Sequence, residues 1–486
     1  MTTRQAMAPF LLTALALVSG LAACATNPVT GKSELSLISE SQEIAMGRQA
    51  AQEVGQSIGY YDDPKVQEYV STIGLRIAAA SERPHLPWEF HVVNDAAVNA
   101  FALPGGFIFV TRGLMAHVNN EAELATVLGH EIGHVTARHS VRQISKAQLA
   151  QLGLGVGSIL SSDVASLAGI ASQGLGLMFL KFGRDAESQA DDLGFKYALG
   201  QNYDVREMAS VFETLNRVSA TGGGGRLPVW LSTHPNPENR IARTQQRLDT
   251  LHRDLKNTVL GRDQYLQRLQ GMTFGEDPRQ GYFEGSRFYH PDLRFQLTFP
   301  DGWKTQNTAD AVVAVSPGQD AMVRLGLAGQ TPPRQAVQQF LSQQGVRGGD
   351  ASDAGINGLP ASASYFEAQS QQGNIQGLIT FISYGGTTYG LLAYTAAGKL
   401  GSYDTAFRRW TGSFSELRDR KALDVQPARM EIVKLPREMT LQQFSAQYPS
   451  TIPIEQLAII NEVGGPDSSI PAGRPLKRVT GGRTGS

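Results

Sequence analysis

The sequence predicts an α+β protein of several domains, and two patterns support this. Apolar residues recur at three- and four-residue steps between Glu121 and His139, which indicates a helix. Phe295, Leu297 and Phe299 alternate with polar residues, which indicates a strand of a second region. We therefore expect three folded parts: a mostly α-helical domain with a small sheet at 38–270, an α+β domain at 283–418, and a small module at 429–480.

Length and composition are those of an ordinary globular protein. The chain has 486 residues, of which 41% are hydrophobic and 18% charged, and its formal net charge is −1. This length provides for two to four domains with proper cores. The near-neutral charge argues against a nucleic-acid partner.

The N-terminus has the features of an export signal. The apolar run from Pro9 to Ala23 follows Arg4 and is too short to cross a membrane, so we expect 1–23 to be a signal peptide. Leu21-Ala22-Ala23-Cys24 resembles a bacterial lipobox, which implies cleavage before Cys24 and acylation of that cysteine. The alternative is ordinary cleavage after Ala25. Cys24 is the only cysteine, so no internal disulfide is expected. By resemblance to Gram-negative lipoproteins, Ala25 after the cysteine favours the outer membrane, facing the periplasm, with 24–37 as a tether.

The stretch 120–139 carries the pattern H-E-x-x-H at His130, Glu131 and His134. Asn120 with Glu123 predicts a capping box that starts a helix near Glu121. The two histidines, one turn apart, then share a face and can both bind one zinc ion. Glu131 lies beside them, where it can take a proton from water and pass it to a leaving amine.

A third ligand is predicted in a second helical stretch. Glu187 and Asp191 are one turn apart, so Glu187 would complete the metal site and Asp191 would accept the remaining ring N–H of a ligand histidine. His139 is the rival third ligand. It follows His134 by five positions, and on a helix that offset turns its side chain away from the metal face. The alternative is that both histidines are satisfied core residues.

These residues resemble a known family. NAFALPGG at 99–106, HEIGH at 130–134, RDAESQAD at 184–191 and STHPNPENRI at 232–241 are similar to blocks of the gluzincin zinc metalloproteases typified by HtpX, BepA and the CAAX prenyl proteases. The resemblance implies one zinc ion per chain and protein or peptide substrates. It also implies a role for His234 and Arg240, and two roles are open. His234 can close the metal as a fourth ligand, or His234 and Arg240 can stabilise the oxyanion.

The strand before the metal helix is expected to bind substrate. In gluzincins this strand hydrogen-bonds an extended peptide, and here it would comprise Phe107, Ile108, Phe109 and Val110 as an exposed sheet edge. The alternative is a plain core strand.

Two other stretches are less regular. Residues 147–180 are rich in Gly, Ala, Leu and Ser, and Gly153, Gly155 and Gly157 interrupt them, so we expect a helical hairpin beside the cleft rather than two membrane spans. The four glycines at 222–225 predict a flexible loop, either a lid or a linker.

The C-terminal regions show no catalytic constellation. FPDGW at 299–303 and a YGG hairpin resemble PsbP-like domains, and an accessory role follows by default. Residues 429–480 resemble a lysin-motif module. Glu438-Met439 stands where that motif carries Gly-Asp, so we interpret the module as a degenerate copy.

The sequence thus predicts an exported, lipid-anchored zinc endopeptidase. The resemblance implies substrates among misassembled or damaged outer-membrane proteins, and the outer-membrane assembly machinery as a partner. A chaperone-like binding protein with structural zinc is the rival, and Glu131 argues against it because a structural site needs no base. A cell-wall amidase is a third hypothesis, which the family blocks disfavour.

Overall fold

The computed structural model describes residues 24–151, 177–178, 180–220, 230, 233–234, 237–308, 311–370 and 373–482. It divides into two compact units. The first comprises the chain up to Gly275 together with Arg429–Thr480, and the second comprises Glu276–Ala428. The second unit is therefore an insertion in the sequence of the first.

Helices make up most of the first unit. Its described helices before the insertion are α1 Glu40–Ser57, α2 Pro64–Ala78, α3 Arg112–His117, α4 Glu121–Thr136, α5 His139–Gln151, α6 Arg184–Gly200, α7 Glu207–Ala220, α8 Pro237–Thr250 and α9 Arg262–Leu269. Its strands before the insertion are β1 Cys24–Thr26, β2 Ser33–Leu35, β3 Glu89–Val93, β4 Ala100–Leu103, β5 Phe107–Thr111 and β6 Thr273–Phe274.

The helix starts follow from local chemistry. Ser39 and Gln42 form a reciprocal capping box before α1, and the Asp63 side chain accepts hydrogen bonds from the first turn of α2, where Pro64 is the first residue. At α4, the Asn120 side chain accepts from the Glu123 backbone N–H at 2.8 Å. In a capping box the Glu123 carboxylate would accept a hydrogen bond from the Asn120 backbone N–H. It accepts instead from the N–H of the preceding residue, Asn119, at 2.9 Å. The predicted helix start is confirmed.

The small sheet corrects one expectation. Its order is β3-β5-β4, so β5 is the central strand, parallel to β3 and antiparallel to β4. Phe107, Ile108, Phe109 and Val110 were predicted to form an exposed edge, and this is wrong. Both edges of β5 are already hydrogen-bonded, and all five of its residues are buried. A strand that is buried on both faces has apolar residues in succession, which is the pattern from Phe107 to Val110.

The second unit is an α+β structure. Its strands are β7 Tyr282–Glu284, β8 Arg287–His290, β9 Phe295–Thr298, β10 Lys304–Asn307, β11 Ala311–Val315, β12 Ala321–Leu327, β13 Val346–Gly348, β14 Ser352–Ile356, β15 Leu359–Ser370, β16 Gly373–Tyr384, β17 Thr387–Ala396 and β18 Ser415–Glu416. Its helices are α10 Pro333–Leu341, α11 Leu400–Gly412 and α12 Arg420–Leu423.

An antiparallel sheet dominates this unit, in the order β10-β11-β12-β17-β16-β15-β13, with β14 also paired to β15. The predicted hairpin is confirmed: β16 and β17 pair through a turn at Gly385 and Gly386, whose φ angles are 59° and 81°. Phe407 and Trp410 of α11 are buried in the core against this sheet. A smaller sheet has the order β18-β9-β8-β7.

The C-terminal segment completes the first unit. It contains β19 Ala428–Lys434, β20 Met439–Thr440, α13 Leu441–Gln447, α14 Ile454–Ile460, β21 Ser469–Ile470 and β22 Pro475–Gly481. β19 lies between β22 and β6, and Met430 N donates to Met272 O at 2.8 Å. The segment packs into the same compact unit as the metal helix α4.

Two predictions lie outside the described residues. The expected helical hairpin falls mainly on 152–176, and the glycine loop falls on 222–225. Among the helices that the structure does describe, none has both the length and the apolar character that a membrane crossing requires.

Candidate metal centre

Helix α4 supplies the first two candidate ligands. His130 and His134 lie one turn apart, and both side chains are buried. Their Nε2 atoms are 3.0 Å from each other. The predicted shared face is therefore observed, with both ring nitrogens pointing at one place.

Helix α6 brings a carboxylate to the same place. Oε1 of Glu187 lies 3.5 Å from His134 Nε2, and Oε2 lies 3.7 Å from His130 Nε2. The approach of α6 depends on small residues at the crossing, because a Cβ on Gly133 would lie 3.1 Å from the Ala190 carbonyl oxygen. The predicted third ligand and the two histidines are thus brought together.

His234 is the fourth member of the cluster. Its backbone N–H donates to Trp230 O at 2.7 Å. Nδ1 of His234 lies 3.3 Å from His130 Nε2 and 2.9 Å from Glu187 Oε1. The ligand atoms of His130, His134, Glu187 and His234 all lie within 4.8 Å of one another.

This cluster fits zinc. With Zn–N bonds of roughly 2.0–2.1 Å, neighbouring ligand atoms of a tetrahedron are about 3.3 Å apart. The separations between 2.9 and 3.7 Å bracket that value. Among the described residues, the buried Glu187 Oε2 has no hydrogen-bond partner and only an ion pair with Arg240 Nη1 at 3.3 Å, so it can still bind a metal ion.

The protonation states also fit a metal. Burial lowers the pKa of His134 well below its usual value, and the neighbouring His130 lowers it further. Burial raises the pKa of Glu187, but the charge and hydrogen bond of His234, together with the charges of His130 and Arg240, lower it below its usual value. A neutral imidazole and an ionised carboxylate are the forms that bind zinc.

Asp191 and Arg240 lie behind His130. Asp191 Oδ1 is 2.9 Å from His130 Nδ1, as predicted for a carboxylate that orients a ligand histidine. Arg240 donates from Nε and Nη2 to the two oxygens of Asp191, at 2.8 and 2.5 Å. Burial alone would raise the pKa of Asp191, but the Arg240 guanidinium and His130 hold it well below its usual range.

Arg240 is enclosed by two aromatic rings and faces two carboxylates. The guanidinium carbon lies 4.2 Å from the ring centre of Phe212 and 4.5 Å from that of Trp230, so two aromatic rings enclose it. Its third nitrogen, Nη1, is 3.3 Å from Glu187 Oε2. The geometry therefore has Arg240 holding Asp191 and Glu187.

Glu131 is buried beside the cluster and faces His234. Its Oε1 is 3.8 Å from His234 Nε2 and has no hydrogen-bond partner among the described residues. It lies next to the ligand atoms without being one of them.

His139 is outside the ligand set, as expected, but contacts it. Its Nδ1 lies 2.9 Å from His134 Nδ1, and its Nε2 lies 3.0 Å from Gln189 Oε1. Sequence reasoning missed this contact, and it missed Gln189, Phe212 and Trp230. Of these residues, only Gln189 could have been suspected from the sequence, because it lies between Glu187 and Asp191.

The model of Peptidase family M48 matches residues 64–248. All four candidate ligands and Glu131 lie inside that match. Residues 64–248 form an M48 peptidase domain.

Relatives of the M48 domain include two named proteases. The beta-barrel assembly-enhancing protease of Escherichia coli (strain K12) is 31% identical over 235 residues, which cover 46% of this chain and 48% of that protein. The mitochondrial metalloendopeptidase OMA1 of Arabidopsis thaliana is 36% identical over 182 residues, covering 37% of this chain and 35% of that protein. The chain thus spans about half the length, or less, of these curated relatives.

One solved structure matches part of the chain at low sequence identity. Cyanobacterial PsbP from Synechocystis sp. PCC 6803 has a TM-score of 0.24 and 14% sequence identity, covering 28% of this chain and 95% of that one.

Proposed function

We propose that this protein is a zinc-dependent endopeptidase of the bacterial cell envelope. The observation that carries the proposal is the buried Glu131 carboxylate beside the cluster of His130, His134, Glu187 and His234. A buried carboxylate oxygen without a hydrogen bond is costly unless it serves a charge or a proton. The position of Glu131 next to the ligands suits a general base.

Each residue of the site has a separate role in the proposed peptide hydrolysis. His130, His134 and Glu187 hold the zinc ion, which when bound acts as a Lewis acid toward water and the peptide carbonyl. Glu131 takes the proton released from the attacking water and delivers it to the nitrogen of the leaving amine. Asp191 keeps His130 oriented, and Arg240 keeps Asp191 in place through two hydrogen bonds.

The substrate backbone is proposed to pair with β4 in place of the β5 edge expected from the sequence. Thr111 N donates to Asn99 O at 3.0 Å. In this antiparallel register the odd-numbered residues of β4, Phe101 and Leu103, therefore exchange hydrogen bonds with β5. The N–H and C=O groups of Ala100 and Ala102 therefore point away from β5. Among the described strands, none pairs with that edge. A peptide added there would be recognised by its backbone, which allows substrates of varied sequence.

His234 is proposed to hold the enzyme latent. A fourth protein ligand leaves no open position at a tetrahedral zinc site, and an open position is what a catalytic site needs. The Trp230 N–H donates to Val98 O at 3.5 Å, so the backbone of Trp230 contacts the segment that leads into β4. Displacement of His234 would free the fourth position at the metal. The alternative is that His234 stabilises the oxyanion of the transition state.

The physiological role is proposed from the relatives. The bacterial relatives are named beta-barrel assembly-enhancing proteases, and the plant relative is a metalloendopeptidase. We infer that the substrates are misassembled or damaged outer-membrane and periplasmic proteins, with the outer-membrane assembly machinery as a partner. Acylation of Cys24 would anchor the chain to the outer membrane on the periplasmic side. A Cys24→Ser protein should then lose acylation and move to the soluble fraction, and a native chain that begins after Cys24 would refute the anchor.

The deciding experiment compares three purified variants on an unfolded outer-membrane β-barrel protein and on casein. Glu131→Gln should keep one zinc ion per chain and lose about 10²–10⁴-fold in activity, because only the proton transfer is removed. Glu187→Ala should lose zinc, since the carboxylate ligand is gone. Glu213→Gln, an exposed glutamate of α7, is the control and should match the wild type.

The same experiment decides the rival hypothesis of a binding protein with structural zinc. In that case Glu131→Gln would leave every property unchanged, including the zinc content and the capacity to bind unfolded protein. Hydrolysis at the wild-type rate by a zinc-loaded Glu131→Gln protein would reject the enzyme mechanism.

A further inference from the structure

The turn between α4 and α5 directs His139 toward the metal centre. Helix α4 ends at Thr136, and Arg138 adopts a left-handed conformation with φ of 55° before α5 begins at His139. In an uninterrupted helix, a residue five positions after His134 would lie well off the face of His134. The reversal at Arg138 instead returns His139 to the outer side of the His134 ring.

This left-handed residue is held by its own side chain. Arg138 Nε donates to Glu43 Oε2 at 3.0 Å, and Nη2 donates to Ile38 O at 2.9 Å. A left-handed arginine is unfavourable by itself and persists only where surrounding contacts fix it. The contacts with α1 and the segment before it therefore keep the position of His139 defined.

The hydrogen bonds assign the protons of this pair. The two Nδ1 atoms of His134 and His139 are 2.9 Å apart, so one of them carries a hydrogen and the other offers its lone pair. His134 Nε2 faces the ligand atoms and must keep its lone pair for a metal. The proton of His134 is therefore on Nδ1 and is donated to His139. The proton of His139 is then on Nε2 and is donated to Gln189 Oε1 at 3.0 Å.

We infer that His139 is a positioning residue of the metal centre, which fixes His134 as the Nδ1-protonated tautomer with Nε2 available for zinc. This inference rests on the proposed zinc site. His139 is buried and lies on the side of the His134 ring opposite the ligand cluster, so it acts only through His134. Gln189, on the same helix as Glu187, links the two ligand helices through this chain of hydrogen bonds.

The two ligand histidines thus have different supports. His130 is oriented by the carboxylate of Asp191, whereas His134 is oriented by a neutral imidazole. A neutral acceptor fixes the ring without adding another carboxylate to a site that already contains Glu187, Glu131 and Asp191. Loss of either support should weaken zinc binding, which for such residues typically means a 10–100-fold effect.

The test measures zinc affinity by competition with a chelator in the full-length protein, with circular dichroism to establish that each variant is folded. His139→Ala removes the acceptor and should weaken zinc binding about 10–100-fold. His139→Asn restores an acceptor close to the Nδ1 position, so its affinity should return to near the wild-type value. His117→Ala is the matched control, because His117 is also buried but its Nδ1 contacts Gly113 O at 2.7 Å, away from the ligands. It should bind zinc as the wild type does.

A second measurement needs no variant. Histidine side-chain ¹⁵N NMR of the zinc-loaded wild type should show His139 protonated on Nε2 and His134 on Nδ1. His139 protonated on Nδ1 would overturn the inference. So would a folded His139→Ala protein with unchanged zinc affinity, or a His139→Asn protein as weak as His139→Ala.

Failure of the proposed function looks different. If the wild type itself binds no zinc, the metal site is refuted and the inference about His139 falls with it. If the wild type binds zinc tightly and His139→Ala does too, the zinc site stands and only the role of His139 is refuted.

Discussion

Gly194 of α6 packs directly against the backbone of His130: a Cβ at Gly194 would lie 2.8 Å from the His130 nitrogen. In the opposite direction, a Cβ on Gly129 would lie 3.0 Å from the Gly194 carbonyl oxygen. The two ligand helices therefore touch through glycine at this point. The same close crossing carries Glu187, two turns earlier on α6, to His130 and His134.

Gly194→Ala tests this crossing. The added methyl group meets backbone atoms that cannot move aside, so we expect a loss of about 1–3 kcal/mol in the free energy of unfolding. Zinc affinity should fall as well, since any separation of the helices moves Glu187 away from the histidines. Chemical denaturation and chelator competition measure the two effects.

Gly200→Ala is the control for that experiment. Gly200 lies on the same helix, and a Cβ there meets no atom within 4 Å. Because alanine is the better helix former, we expect unchanged zinc affinity and a gain of at most about 1 kcal/mol. If Gly194→Ala behaves like Gly200→Ala, the close crossing is not needed to assemble the site.

His234→Ala separates the two roles considered for His234. If Nδ1 of His234 occupies the fourth zinc position, its removal should raise basal proteolysis several-fold with zinc retained by His130, His134 and Glu187. If His234 instead stabilises the transition state, the same change should lower kcat with zinc retained. His252→Ala, an exposed histidine, is the control. Equal kinetics of His234→Ala and wild type would reject both roles.

Arg240→Lys separates positioning from oxyanion stabilisation. Lysine keeps the charge but cannot reproduce the two hydrogen bonds to Asp191 or the stacking between Phe212 and Trp230. We expect zinc affinity to fall about ten-fold or more, because His130 loses the orientation of its partner. Arg243→Lys on the same helix should have little effect. A variant with wild-type zinc affinity and a lowered kcat would restore the oxyanion role.

The ligand residues could be predicted from sequence because their geometry is local. His130 and His134 are separated by one helical turn, and so are Glu187 and Asp191, so each pair is placed by the helix alone. The start of α4 at Asn120 was equally local. That the two helices meet was expected from chemistry, since a metal needs a third ligand.

The remaining features depend on contacts between distant segments. The order β3-β5-β4 follows from strand pairing, and a four-residue apolar run does not distinguish a central strand from an edge strand. The enclosure of Arg240 depends on rings from Phe212 and Trp230. The contact of His139 depends on the left-handed Arg138, whose conformation is fixed by Glu43, 95 positions earlier in the chain.

Lys477 joins the C-terminal segment to the end of α3. Its buried Nζ donates to Ala116 O at 3.0 Å and to Val118 O at 2.8 Å, in the segment that leads into α4. Burial lowers the pKa of Lys477 to about 7, although the nearby Glu123 and Glu462 oppose the shift, and Arg262 adds to it. Unfolded lysine has a pKa of about 10.4.

The sign of the pH dependence follows from these two values. Between about pH 7 and pH 10 the unfolded chain carries a proton on Lys477 that the folded chain lacks, so the unfolded state binds more protons there. The free energy of unfolding should therefore rise with pH in this window, by at most about 1.4 kcal/mol per pH unit from this group. Below pH 7 both states are protonated and the destabilising contribution is complete.

Lys477→Met should remove that slope. We expect the free energy of unfolding of the variant, measured in urea between pH 6.5 and 9.5, to change less with pH than that of the wild type. Its absolute stability reflects two opposing effects, since the variant is relieved of a buried ammonium but leaves the Ala116 and Val118 carbonyls without this donor. The slope, rather than the absolute value, is therefore the decisive quantity. Lys434→Met, an exposed lysine on β19 of the same segment, should keep the wild-type slope. Parallel curves for all three proteins would mean that Lys477 is charged in the folded protein throughout this range, and that the C-terminal segment is not held to the end of α3 by a neutral amine.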